Sequence, residues 1–335
     1  MLYDHLVSSD LRSFIRSLPK AETHLHMEGA LPYERLAAEY PQQFSGEPEF
    51  LSTNYRFPDF TTFENILLAH AVPWFTSAER YHEAARHVFA RHMEQNVRYV
   101  ETSFHLGVLE ITGMPGEEVI QAIKEAAPPG LTVRVFMGML RPHYQGVARK
   151  IIDDMPNWKS LDGVDLHGHE DLPLEEWTAR AWAEVRQAGK ETKAHAGEFC
   201  GAENVRVVLD QLQVKRIQHG IGAADDPELV ERLIGEGITL DICPVSNFKL
   251  RAVDNWTNHP LPDLLRRGVR CTVSTDDPLV IGNALNDEYA ALSLFLGLSP
   301  EEMKQVARNG FLVATLDEAV RQACLKAIDE LEAPG

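Results

Sequence analysis

Thr23-His24-Leu25-His26-Met27-Glu28 stands close behind the N-terminus and closes a segment of strand character, Leu18 to Glu28. Side chains alternate along an extended chain, so His24 and His26 point to one face as a pair of nitrogen donors. Neutral imidazoles suit Zn²⁺, but two histidines make a metal site only when distant parts of the chain bring further ligands. Such convergence is what a closed set of parallel strands provides, and the rest of the sequence is patterned for one.

Beyond Glu28 the chain runs unusually far before the next strand signal. Pro41, Gly46, Pro48 and Pro58 break this stretch, while Phe57, Phe60, Phe63, Leu67, Trp74 and Phe75 make it apolar. An insertion of about residues 30–80 after a barrel strand is expected to form a lid, with Phe60 and Phe63 against substrate. From Tyr81 the alternation is regular. Strand segments at Val97–Phe104, Thr132–Leu140, Gly163–Gly168, Glu191–Glu198, Arg216–Gly220, Thr239–Pro244 and Val269–Thr275 are separated by helical stretches such as Tyr81–Gln95, Glu117–Ala127 and Leu261–Arg267. Residues 141–162 show no clear pattern. Eight strands alternating with helices predict an α/β protein with a (β/α)₈ TIM barrel. Helices over about 283–333, one opened by the capping box Ser299-Pro300-Glu301-Glu302, are expected to pack outside it. Residues 1–335 are read as a single domain.

With 32 Lys and Arg against 50 Asp and Glu, the formal charge is −18, which repels phosphate backbones and anionic lipid. No nucleic acid polymer and no membrane is expected as a partner. Cys200, Cys243, Cys271 and Cys324 are far apart and form no CxxC pair, so zinc ribbons and redox motifs are excluded, and a cytoplasmic protein is expected. The oligomeric state is left open.

A barrel interior should be aliphatic, yet histidine or acid stands at the end of several strands: His24 and His26, His195 and Glu198, His219, then Asp276 with Asp277. Active sites of these barrels lie at the C-terminal ends of the strands, so these residues share one mouth. Taken singly, His219 reads as a hydrogen-bonded core residue, Asp276-Asp277-Pro278 as a helix cap, and Asp165 and His169 as support for the loop around Gly168. Jointly, His24, His26, His195 and Asp276 suit one Zn²⁺ per chain with a position left for water, whose pKa such an ion lowers to about 7. Glu198, three residues after His195, sits beside that site without being needed as a ligand. Burial would raise its pKa and make it a general acid.

Thr23-His24-Leu25-His26-Met27-Glu28-Gly29, His195-Ala196-Gly197-Glu198, His219-Gly220, Cys243-Pro244-Val245-Ser246-Asn247 and Ser274-Thr275-Asp276-Asp277-Pro278 resemble, in order, the motifs of the adenosine deaminase family. The resemblance runs from about Pro19 to Phe311. It implies a small-molecule 6-aminopurine substrate and Zn²⁺ bound by His24, His26, His195 and Asp276. It further implies that Glu198 protonates purine N1, that His219 and Asp276 orient the attacking hydroxide and take its proton, and that Asp277 and the N–H of Gly168 contact N7 and N3. His26 and Glu28 would also face the substrate. Glu28 stands where adenosine-type members usually carry aspartate, and Asn247-Phe248-Lys249-Leu250 is similar to members acting on adenine. Gly168 and Thr275-Asp276-Asp277-Pro278-Leu279 are closer to the adenosine type. Gln218 replaces a usual glycine, and His167-Gly168-His169-Glu170 is more basic than the common form. Adenosine or deoxyadenosine is therefore the expected substrate, with adenine, an N6-substituted adenine or aminodeoxyfutalosine as alternatives. A two-metal hydrolase of amides or phosphoesters, and a catalytically silent purine-binding barrel, are the competing classes.

Overall fold

The computed structural model describes residues 2–3 and 5–334. Its eight strands run parallel in chain order: β1 (Lys20–His26), β2 (Val97–His105), β3 (Thr132–Leu140), β4 (Gly163–His167), β5 (Glu191–Ala196), β6 (Arg216–His219), β7 (Thr239–Ile242) and β8 (Arg270–Val273). Every strand core is buried, as parallel strands covered by helices must be. Between β8 and β1 the ladder shrinks to one parallel bridge, Leu25 with Asp276. There the Asp276 N–H donates to the His24 carbonyl and the His26 N–H to the Asp276 carbonyl, each at 3.1 Å. The TIM barrel expected from the alternation is present, and its seam runs through three of the four expected metal ligands.

Helix α1 (Ser9–Ser17) precedes the barrel. Between β1 and β2 lie α2 (Tyr33–Glu39), α3 (Phe60–Ala71) and α4 (Ala78–Glu94), the last two opened by Asp59 and Ser77, whose side chains accept from Thr62 and Arg80 N–H. Next come α5 (Leu106–Thr112), α6 (Gly116–Glu125), α7 (Gly146–Asp154), α8 (Glu176–Gln187), α9 (Ala202–Leu212), α10 (Pro227–Gly235), α11 (Pro244–Lys249) and α12 (Leu261–Arg267). Helix α7 occupies the stretch without a clear pattern. After β8 follow α13 (Pro278–Ile281), α14 (Leu285–Leu294), α15 (Pro300–Val313) and α16 (Glu318–Glu330). Among these, α15 packs directly on β8 and β1, so it is the eighth helix of the barrel and not an appendage. Gly310 makes that approach possible, since a Cβ there would come within 2.9 Å of the Ala21 Cβ. No helix among the described residues is long and apolar enough to cross a membrane.

The expectation of an aliphatic interior is corrected by a buried charge cluster. Arg216 on β6 bonds both Glu101 on β2 (3.0 Å) and Asp241 on β7 (2.9 Å), and Lys193 on β5 pairs with Glu101. These strands are not all neighbours, so the contacts cross the barrel. Two cations against two carboxylates leave no uncompensated charge, which is the condition for burying them. Lys193 Nζ also donates to the Thr23 carbonyl (2.8 Å), directly before His24.

Candidate active site

His24 and His26 leave β1 on one side and meet His195 from β5. The Nε2 atom of His24 lies 3.3 Å from that of His26 and 3.1 Å from that of His195. Asp276 Oδ1 is 3.4 Å from His24 Nε2 and 3.1 Å from His26 Nε2. With Zn–N bonds of about 2.0–2.1 Å, tetrahedral ligands stand about 3.3–3.4 Å apart, which is close to these spacings.

The opposite ring nitrogens set the tautomers. His24 Nδ1 is 3.0 Å from the Asp241 carbonyl and His195 Nδ1 is 3.0 Å from the Leu166 carbonyl. A carbonyl only accepts, so both rings carry their proton on Nδ1 and turn a bare Nε2 lone pair inward. His26 Nδ1 meets Ser103 Oγ at 2.9 Å. Facing lone pairs about 3 Å apart repel one another unless a cation lies among them, so the donor set fits a divalent metal. Charge points the same way. Burial opposes a proton on His26, yet Asp277 and Asp276 outweigh it and push the imidazole up to about 9. The cluster draws in positive charge, as a proton or as a metal ion.

Asp276 and His219 are non-glycine residues with φ of 68° and 64°. Such conformations cost about 1–3 kcal/mol each and persist where the surroundings enforce them. For Asp276 the enforcement is the seam, together with Ser246 Oγ, which donates to Oδ2 at 2.7 Å and leaves Oδ1 for the cluster. Burial would raise this carboxyl, but the His24 and His26 imidazoles hold it well below the ordinary range.

Glu198 lies on the turn after β5, its side chain 8% exposed, with His219 Nε2 at 3.4 Å and Asn247 Nδ2 at 3.5 Å. Burial, then the Asp276 and Glu170 carboxylates, raise its pKa well above the usual value, which favours the protonated form. Asn247 Nδ2 also donates to His219 Nδ1 (3.1 Å), which leaves the Nε2 proton of His219 toward Glu198 and Asp276 Oδ2. Burial keeps His219 neutral.

These groups form one end of a cavity of about 210 Å³. Phe60 and Phe63 from α3 line it, and Phe60 also meets His169 edge-on and Phe199 at a tilt. Gly168 and Asp277 line it too, the former at φ 77°. Asp277 Oδ1 is buried without a partner, and burial lifts this carboxyl well above its usual range. Gly29 lets Asp277 sit there, because a Cβ would fall 1.7 Å from Oδ1. Glu28 is held by the Tyr81 hydroxyl from α4 and by the His105 N–H (2.9 Å). Among the described residues, no lysine or arginine lines the cavity.

Some neighbours were misread, left open or given no role by the sequence reading: from sequence, His167 could face the mouth or turn away from it. Asp165 is not loop support: it is buried on β4 with Oδ1 3.4 Å from His195 Nδ1, and its Oδ2 accepts from Gln218 Nε2 at 3.3 Å. His167, two residues on and therefore on the same face, lines the cavity in a notch left by Gly138, where a Cβ would strike its ring at 1.9 Å. Strand alternation was the signal available for both. Ser246 and Asn247 stood inside a quoted motif without an assigned task, and Tyr81 carried no signal beyond its helix.

Comparison with known proteins agrees with this geometry. The family model described as adenosine deaminase matches residues 19–331. An adenine deaminase of Streptomyces coelicolor is 33% identical over 333 residues, covering 95% of this chain and 96% of its own. The crystal structure of an adenine deaminase from Arthrobacter aurescens has a TM-score of 0.83 at 26% identity, with 93% of this chain and 98% of that one covered. A Burkholderia ambifaria amidohydrolase with bound Zn shares the fold at a TM-score of 0.83 and 24% identity, over 97% of this chain and 94% of its own. Both of the named deaminase relatives are adenine deaminases, and a nucleoside substrate, expected first, is not supported by either name. Because the matched span contains His24 through Asp277 without a break in order, the chain belongs to the adenosine deaminase family and is a hydrolytic deaminase acting on a C–N bond.

Proposed function

We propose that this chain is a zinc-dependent adenine deaminase, converting the free base to hypoxanthine and ammonia. The observation that carries the reading is the cavity wall. Leu67, Leu68, Val72 and Val108 line it, Leu68 and Val72 reaching solvent at the rim, and no cation stands among them. The phosphate of a nucleotide would find no lysine or arginine there and would face Glu28 and Glu64, and much of a ribose would lie against this hydrocarbon. Adenosine is the second reading, because Glu28 lines the cavity and its carboxylate can accept from a ribose hydroxyl.

His24, His26, His195 and Asp276 would hold the ion. A Zn²⁺ there supplies hydroxide at neutral pH by acidifying water. Glu198 delivers its proton to purine N1, so that C6 accepts the nucleophile without a full negative charge building on the ring. His219, neutral and carrying its proton on Nε2, orients the incoming oxygen, and Asp276 accepts the proton that water gives up. Asp276 then passes it to the departing amine, which leaves as ammonia while the new C6 hydroxyl returns a proton to Glu198. Asp277, protonated by virtue of its burial, donates to N7, and Gly168 N–H reaches N3. Phe60 and Phe63 exclude water from the ring face.

The test is ammonia release from adenine, adenosine and AMP by enzyme holding one zinc per chain. Adenine should exceed adenosine in kcat/KM by about 10²-fold or more, with AMP lower still, since groups left unpaired in a dry site discriminate strongly. An enzyme faster on adenosine than on adenine refutes the assignment.

A further inference from the structure

Glu170 takes no part in the reaction above, yet few carboxylates in the chain are as tightly held. It lies in the loop after β4, buried, and accepts three backbone N–H groups from the turn after β5: Gly197 on one oxygen (2.5 Å), Phe199 and Cys200 (2.5 Å) on the other. Its own carbonyl accepts from Asn204 Nδ2 in α9 at 2.6 Å. These donors bracket Glu198. Arg141, buried in the loop after β3, donates to the His169 carbonyl (3.0 Å) and reaches the His195 carbonyl (3.5 Å), so the loop that carries Glu170 is itself tied down.

We propose that Glu170 is the positioning residue for the proton donor: by gripping the backbone on both sides of Glu198, it fixes the distance of that carboxyl from the metal cluster. The turn needs such a grip. Gly197 has φ 70°, a region open to glycine at little cost, so the segment has no stiffness of its own. Converging N–H groups in such a turn form a concavity that fits an anion. The metal ligand next door is secured separately, through Leu166 and through pairing of β5 with β4 and β6. Glu170 therefore bears on the acid more than on the ion. Its carboxylate also joins burial and Asp276 in raising the Glu198 pKa.

The inference rests on Glu198 being the proton donor, and its test separates the two claims. Glu170→Gln turns one accepting oxygen into an NH₂ group that must face a backbone N–H, with almost no change of volume. The variant is made in the wild-type and in the Glu198→Gln background, zinc is counted, and kcat and KM for adenine are measured. In the wild-type background we expect one zinc per chain, KM within about threefold, and kcat lower by about 10–10²-fold, the range for a catalytic group displaced by a fraction of an ångström to about 1 Å. In the Glu198→Gln background the further loss should be about threefold or less, because residues acting through one another are not additive. Equal losses in both backgrounds, or loss of zinc, overturn the proposal and leave Glu170 a general structural prop. Should the amide variant fail to fold, Glu170→Asp, one methylene too short to reach all three donors, is judged by the same two-background comparison. Near-normal turnover by Glu198→Gln alone defeats the functional reading instead, and shows it without any change at Glu170.

Discussion

Replacing Glu198 by glutamine removes one transferable proton and little else. The side-chain volume is preserved, and its neighbours at 3.4 and 3.5 Å are His219 and Asn247, neither of which belongs to the four proposed ligands. Zinc content should therefore stay at one per chain. Burial and the neighbouring carboxylates favour the neutral carboxyl, so exchanging it for a neutral amide should shift stability by less than about 1 kcal/mol. The amide can still donate a hydrogen bond to N1, and KM should move by only a few-fold. What it cannot do is release the proton, and general acid catalysis of this kind is typically worth about 10²–10⁴ in rate. At 1.36 kcal/mol per decade that is about 2.7–5.5 kcal/mol of barrier, lost from kcat. Its pH dependence carries a second signature. Since burial, Asp276 and Glu170 raise the Glu198 pKa, the wild-type rate should stay level through neutrality and fall only as alkaline pH strips this proton. The glutamine variant should lack that alkaline fall. Steady-state ammonia release between pH 6 and 10, with metal analysis of the same samples, reads every term. A variant within tenfold of wild type, or one that has lost its zinc, refutes the reasoning.

Gly29→Ala should leave folding and zinc content unchanged but raise KM by about 10-fold or more, because the new methyl lands 1.7 Å from Asp277 Oδ1 and must displace that carboxyl; an unaltered KM would show that Asp277 does not touch the substrate. Chelation should lower the melting temperature by about 5–10 °C, recovered on adding zinc, since an ion bound only by the folded chain stabilises it by about 4 kcal/mol at a thousand times its Kd; identical melting curves would mean that the histidine cluster holds no ion. Lys249, buried with Nζ donating to the Phe50 (2.9 Å) and Ile281 (2.7 Å) carbonyls, is lowered by burial from 10.5 to about 8. Between those values the unfolded chain binds the extra proton, so wild-type stability gains with rising pH over that window. The stability difference between wild type and Lys249→Met, followed by denaturant titration, should widen from pH 8 to 10 in favour of wild type, and a constant difference would place the lysine pKa elsewhere.

The sequence made the strands legible because parallel strands covered on both sides are short apolar runs punctuated by glycine and helix caps, and all eight lie within two residues or so of their expected ends. It left α7 unread although Val147, Ala148, Ile151 and Ile152 recur at helical spacing, because this nine-residue helix opens on Gly146 with no capping side chain to mark its start. It also hid the charges at the barrel centre, because Glu101, Lys193, Arg216 and Asp241 look like ordinary surface residues until four strands bring them together. The proposed ligands and Glu198 were visible because they end strands. Glu170 was not, since its partners are backbone N–H groups, which leave no trace in side-chain pattern, and Asp165 was misjudged by its closeness to a loop glycine. The substrate was the least legible feature, for its choice rests on which side chains of a poorly periodic insertion turn toward the cavity.

The bridge that closes the barrel has a bearing on how the enzyme matures. Thr23 and Ser274, joined across that closure, are 251 positions apart, so a ribosome must deliver most of the polypeptide before the two edges can meet. Contacts of such long range form slowly and late. An ion offered to the nascent chain would find His24 and His26 without Asp276, and holding it firmly must await the final strand. A metal held by all four proposed ligands would thus report that the barrel has closed.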